Sequence, residues 1–123
     1  MTQHRRRRGR ETEMLVAKYF IDNGWLSAHV GSASASGSDI RGIPGLDVEV
    51  KARKNFSPSE TVKQLENRSQ ETGMGVAVMR LGGQGEMSVP DFLCFLRFDD
   101  LVYLLKASGY GSTTTERHKS QEM

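Results

Sequence analysis

At 123 residues, with 37% hydrophobic and 26% charged side chains, the chain has room for one domain with a modest core and little for a second. No apolar run approaches the length of a membrane span, and the N-terminus lacks the apolar stretch of a signal peptide, so a cytoplasmic setting is expected. The net charge of +2 hides an asymmetry: Arg5, Arg6, Arg7, Arg8 and Arg10 stand in the first ten residues with no acid among them, and subtracting those five leaves −3 for the remainder. Residues 1–10 thus read as a basic flexible arm on a slightly acidic body, a pattern suited to sequence-independent phosphate contact, the alternative being a solubility tail.

Glu11 to Asn23 is predicted to be an amphipathic helix, its broad apolar face formed by Met14, Leu15, Val16, Ala17, Tyr19, Phe20 and Ile21, with Gly24 as C-cap. A strand is expected over Trp25–Val30. The small, polar run from Gly31 to Gly37 reads as a loop. Asp39–Arg41 is a short strand, and Gly42, Pro44 and Gly45 turn the chain. Leu46–Ala52 is the clearest strand. Leu46, Val48 and Val50 occupy one face, and Asp47, Glu49 and Lys51 the other.

Ser57, Pro58 and Glu60 make a capping box for a surface helix running to about Thr72, with only Val62 and Leu65 as apolar contacts and Gly73 as its stop. Gly75–Leu81 is a predicted strand, Gly82–Gly85 a turn, and Met87–Val89 a strand pairing back. The first half of Asp91–Ala107 fits strand or helix. Asp99 or Asp100 is expected to cap a last helix through Leu101, Leu104 and Leu105. Cys94, the only cysteine, lies among Phe92, Leu93, Phe95 and Leu96 and reads as a buried, inert thiol. The division is therefore an arm at 1–10, one domain at 11–108 and a polar, disordered tail at 109–123, in an α/β fold with a mixed central sheet flanked by helices.

Asp39, Glu49 and Lys51 carry the chemical signal. Glu49 and Lys51 are two residues apart on a strand, so a carboxylate and an ammonium leave one face roughly 7 Å apart. A hairpin across the Gly42–Gly45 turn brings Asp39 beside Glu49. Two carboxylates suit a hard divalent cation such as magnesium, which keeps several waters and needs few protein ligands. The competing reading is a solvated strand face of alternating charge. His4, His29, His118 and Cys94 have no zinc spacing, and neither a nucleophile elbow nor a phosphate-loop lysine motif occurs.

Asp39, nine residues and then Glu49-Val50-Lys51 resemble the PD-(D/E)XK nuclease motif. The likeness is closest to the small Holliday junction resolvases of archaea and phages. It rests also on the glutamate-bearing helix ending in Gly24-Trp25, the Gly/Ser loop, Ile40 after the aspartate, and Arg53 and Lys54 after the motif. It covers about residues 9–81, with Ser38 where the family has proline.

The resemblance implies a restriction-endonuclease-like fold and a metal-dependent endonuclease that resolves branched DNA. It implies Asp39 and Glu49 as magnesium ligands, Glu13 as a further catalytic or metal-binding acid, and Lys51 as the transition-state cation; manganese would substitute for magnesium. Glu11 competes with Glu13, and a helix-start acid is the plain reading of either. Asp47 reads as a surface or supporting residue. Arg5, Arg6, Arg7, Arg8, Arg10, Arg53, Lys54 and Lys63 are candidate DNA contacts. Gln64 either faces the site or is an ordinary surface residue. The implied partner is DNA, with no small-molecule cofactor and no membrane. A two-fold junction implies a homodimer, for which the apolar 92–105 segment is a candidate surface. Phage origin would mean the host cytoplasm. The alternatives are a restriction-like or replication- and repair-linked nuclease, or a non-catalytic DNA-binding module.

Overall fold

The computed structural model describes residues 2–32, 39–52 and 57–111, those at 2–8 and 68–72 by backbone alone. Their order is α1 (Thr2–Asp22), β1 (His29–Val30), β2 (Ile40–Arg41), β3 (Leu46–Lys51), α2 (Pro58–Thr72), β4 (Met74–Met79), a 3₁₀ helix (Glu86–Asp91), β5 (Leu93–Phe95) and α3 (Phe98–Ser108). The five strands form one mixed sheet in chain order. β1 pairs antiparallel with β2, and β2 antiparallel with β3. β3 and β4 are parallel, from Leu46 opposite Met74 to Lys51 opposite Met79, and β5 pairs antiparallel with β4.

The alternation on β3 explains the layering. Val48 is fully buried and packs with Val16 and Ala17 of α1, Ala28, Ile40 and Ile43, while Leu46, Val50, Val78 and Phe20 close the margin. α1 therefore covers the face that bears the valines. α2 is the crossover between the parallel strands and packs on β4 and β3, with Thr61 and Leu65 buried. Its start follows the local chemistry: Pro58 pre-sets the first turn and Ser57 Oγ accepts from the Glu60 N–H at 3.5 Å.

Two glycines are required by close approach. Gly42 has φ +90°, and a Cβ there would stand 2.0 Å from the Ser27 carbonyl oxygen. Gly73 has φ +126°, and its Cβ would meet the Gly45 oxygen at 2.8 Å. The second contact, with Met74 N–H donating to Gly45 O at 3.0 Å, sets the start of β4 beside β3.

Several expectations are corrected. Helix α1 does not start at Glu11; its backbone continues to Thr2. Arginine is a good helix former, and Gly9 alone does not break the run. Met14, Tyr19 and Ile21 are exposed, so the apolar stripe is narrower than periodicity suggests. Only His29–Val30 of the Trp25–Val30 segment is strand, because Trp25 and Ala28 N–H groups donate to Phe20 and Trp25 carbonyls in successive turns. Residues 87–89 belong to the 3₁₀ helix, where Pro90 has no N–H to give a ladder. Val62 is exposed, leaving Leu65 as the buried apolar contact of α2. The last helix starts after Arg97, without a side-chain cap from Asp99 or Asp100. Cys94 is exposed at the sheet edge, although partial covering pushes its thiol pKa up and keeps it a poor nucleophile. The tail from residue 112, the 33–38 stretch of the Gly/Ser loop, and Arg53 and Lys54 lie outside the described residues.

Candidate functional site

The seam between β2 and β3 positions Asp39. Its N–H donates to the Val48 carbonyl at 2.9 Å, and its carbonyl accepts from Gly31 N–H at 2.8 Å. Its carboxylate Oδ2 accepts from the Val50 N–H at 2.8 Å. β2 pairs with β3 at Ile40 opposite Val48. The Asp39 side chain therefore takes up the ladder donor of the residue lying between Glu49 and Lys51. A backbone N–H so placed fixes the direction of the carboxylate.

On β3 the acids face away from α1. Asp47 is 2% exposed and Glu49 8%. A solvated ladder of alternating charge does not match that burial, and Asp47 is not a surface residue. Strand periodicity puts Asp47, Glu49 and Lys51 on the face that also holds Gly75, Ala77 and Met79 by register. Charged groups this deep are retained where paired or used, and both acids have interaction partners. Lys51 closes the strand, half-buried.

Glu13 reaches the seam from α1. Its pKa is raised, first by burial and next by the charge of Asp39, with Arg10 opposing. Asp39 and Glu13 are thus electrostatic neighbours. Glu11 is turned elsewhere: its Oε1 accepts from Arg80 Nη1 at 3.2 Å. Of the two helix acids, Glu13 is the neighbour of Asp39.

The carboxylates are not gathered into a single nest. Among the described residues no three His, Cys, Asp or Glu side chains are grouped so as to hold a metal ion. Glu13 meets Asp39 at the seam, and Glu49 adjoins it along β3 with its side chain on the far face from α1. On α2, Gln64 is half-buried, and its Oε1 is buried without a hydrogen-bond partner among the described residues. Lys63 is exposed on the same helix, and Arg10 is exposed on α1. The side chains of Arg5, Arg6, Arg7 and Arg8 lie outside the described residues.

Sequence reasoning misses Arg80. It is 5% exposed, just past β4, and its guanidinium joins Glu11, Thr12 and the Gln84 carbonyl. A lone arginine after a strand carries no local sign of burial; only its partners 68 and 69 residues away reveal it. Comparison with family models, curated proteins and solved structures found no match.

Proposed function

We propose that this chain is a metal-dependent endonuclease on a restriction-endonuclease-like fold, resolving branched DNA of the Holliday-junction type by phosphodiester hydrolysis. The observation that carries the reading is the Asp39 carboxylate anchored on the Val50 N–H, between Glu49 and Lys51, with the half-buried Glu13 as its neighbour. A surface charge pattern has no reason to take that form.

The donor set suits magnesium. All its members are carboxylate oxygens, and one or two protein carboxylates suffice because the ion keeps several waters. Asp39 and Glu49, neighbours across the β2–β3 pairing, would hold it, and Glu13, reaching Asp39 from the α1 side, would act through a coordinated water; the proximity of Glu13 to Asp39 is a repulsion that a cation relieves. When bound, magnesium lowers the pKa of a coordinated water and offsets charge on the phosphate. Lys51 then holds the attacking water or the negative charge developing on the phosphoryl oxygens. The hydrogen bond from Val50 N–H orients the Asp39 carboxylate. Arg5, Arg6, Arg7, Arg8, Arg10, Arg53, Lys54 and Lys63 supply salt-sensitive grip on the DNA backbone. Gln64 supports the site from α2.

Cutting both strands of a two-fold junction calls for two copies of the site. α3 has no buried residue, and Phe98, Leu101, Tyr103, Leu104 and Leu105 on it are exposed, in the helix that follows the edge strand β5. Pairing through this surface supplies the homodimer. No helix among the described residues is long and apolar enough to cross a membrane, and we read the setting as cytoplasmic.

The decisive experiment is cleavage of an end-labelled four-way junction in magnesium or manganese, beside linear duplex and beside Asp39→Asn. Paired symmetric nicks by wild type, lost in the variant and in EDTA, are expected. Cleavage of duplex in preference to junction would assign a restriction-like or repair substrate. Junction binding without cutting in either metal would make the chain a non-catalytic DNA-binding module.

A further inference from the structure

The N-terminal half of α1 has little apolar means of holding its place. Its first buried apolar residue is Val16. Before that, Met14 is exposed and Leu15 only half-buried, and ahead of them come Gly9, Arg10, Glu11, Thr12 and Glu13, of which Thr12 is 0% exposed. A hydroxyl so deeply buried needs a partner. Arg80 supplies one: Nη1 donates to Thr12 Oγ1 at 3.0 Å and to Glu11 Oε1 at 3.2 Å. Its plane is fixed from the other side, where Nε donates to the Gln84 carbonyl at 2.8 Å. Gln84 is itself held, its Oε1 accepting from Leu81 N–H at 2.8 Å and its Nε2 donating to the Asp91 carbonyl at 3.2 Å.

We infer that Arg80 is a positioning residue for the site: its guanidinium, braced by Gln84, locks the rotation of α1 through Glu11 and Thr12 and thereby aims Glu13 at the Asp39 seam. Successive residues on a helix are about 100° apart, so holding residues 11 and 12 leaves residue 13 one direction. Arginine is suited to this because one planar fork reaches several acceptors at once, whereas lysine places a single point of charge. A buried guanidinium adds little stability over an apolar residue, so its use here is specificity of register. The role assigned to Glu13 rests on the nuclease reading; the orientation of α1 does not.

The test separates the two. In the full chain carrying Cys94→Ser, Glu13→Cys and Asp39→Cys, the rate of disulfide formation between positions 13 and 39 is measured with and without Arg80→Lys, with circular dichroism and melting recorded in parallel. Arg80→Lys is expected to slow the cross-link about tenfold while the chain stays folded. Thr12→Val should slow it several-fold and Thr12→Ser leave it within about twofold, since serine keeps the acceptor. Equal rates with and without Arg80→Lys overturn the inference. Should Arg80→Lys unfold the chain, Thr12→Val against Thr12→Ser decides, and equal rates for those two overturn it. In otherwise wild-type protein, Arg80→Lys should lower cleavage at saturating junction about tenfold with half-saturation unchanged, as for a group that aims rather than binds. A wild-type chain that never cleaves removes the nuclease reading, while the cross-linking rates still decide whether Arg80 orients α1.

Discussion

The middle of the sheet and its β5 edge invert each other. Around α1 and the central strand β3, polar groups are inside: Thr12, Asp47, Glu49 and Arg80 are all buried. At the β5 edge and on α3, apolar groups are outside: Leu93, Phe98, Tyr103 and Leu104 are exposed, and no residue of α3 is fully buried. Ordinary patterning does the reverse at both places, and each inversion calls for a cause. Buried polar groups that cost desolvation indicate chemistry or register. Exposed apolar groups on an edge strand and its following helix indicate a surface meant to be covered. On the proposed reading the two regions serve different ends, a site and an interface.

That contrast is most exposed to failure at the acids. Glu49→Gln and Asp39→Asn should each lower junction cleavage by at least about a thousandfold in magnesium, as expected when a metal ligand worth several kcal/mol to the transition state is lost. Full retained activity in Glu49→Gln would end the catalytic account of β3. Next in size is the apolar core between α1 and the sheet. Ile40 is fully buried against Val48 and α1, so Ile40→Ala should cost about 2–5 kcal/mol in urea unfolding. A loss under about 1 kcal/mol would mean that the seam is loosely packed.

A smaller effect is expected at the α2 cap. Ser57→Ala removes the acceptor for the Glu60 N–H and should cost about 1 kcal/mol, read from the denaturation midpoint. At the C-terminal end the expectation is the opposite of a core change. Leu104→Ser on α3 should shift stability by no more than about 0.5 kcal/mol at protein concentrations where the chain is monomeric. It should nonetheless lower self-association in analytical ultracentrifugation. A variant that associates as wild type does would remove α3 from the interface.

The smallest change is a dependence on pH. The pKa of Glu13 is raised in the folded chain, so the folded state holds that proton more tightly than the unfolded one. Stability therefore falls as pH rises from the unfolded pKa through the folded one, and the penalty stays above that window. Glu13→Gln should be more stable than wild type at neutral pH, with the gain vanishing as the medium is acidified below the ordinary glutamate range. A gain that persists unchanged at low pH would mean that the charge on Glu13 is not the cause.

Much of the scaffold is legible in the order of residues. The alternation Leu46, Val48, Val50 against Asp47, Glu49, Lys51 announces β3 within one residue of its end, since a period of two is local information. The Ser57-Pro58-Ser59-Glu60 signature announces α2 for the same reason. Helical phase with Ala17 favours Glu13 over Glu11, and the structure makes Glu13 the neighbour of Asp39. Residues 86–91 mislead because a short apolar run beside a turn does not distinguish strand from 3₁₀ helix. Cys94 misleads because an apolar neighbourhood in sequence is not burial in space when the strand lies at an edge.

What the order of residues settles by itself is whatever depends on neighbours within a few positions: the period of β3, the caps of α2 and the acids available to the seam. Folding settles the rest. It buries Asp47 and Glu49 on the face away from α1, puts the Asp39 carboxylate on the Val50 N–H eleven residues away, and brings Arg80 to Glu11 and Thr12 across 69 and 68 residues. Such contacts depend on which strands pair and which helix face turns inward. Those choices are made by the packing of the whole core, so no local stretch of the chain contains them.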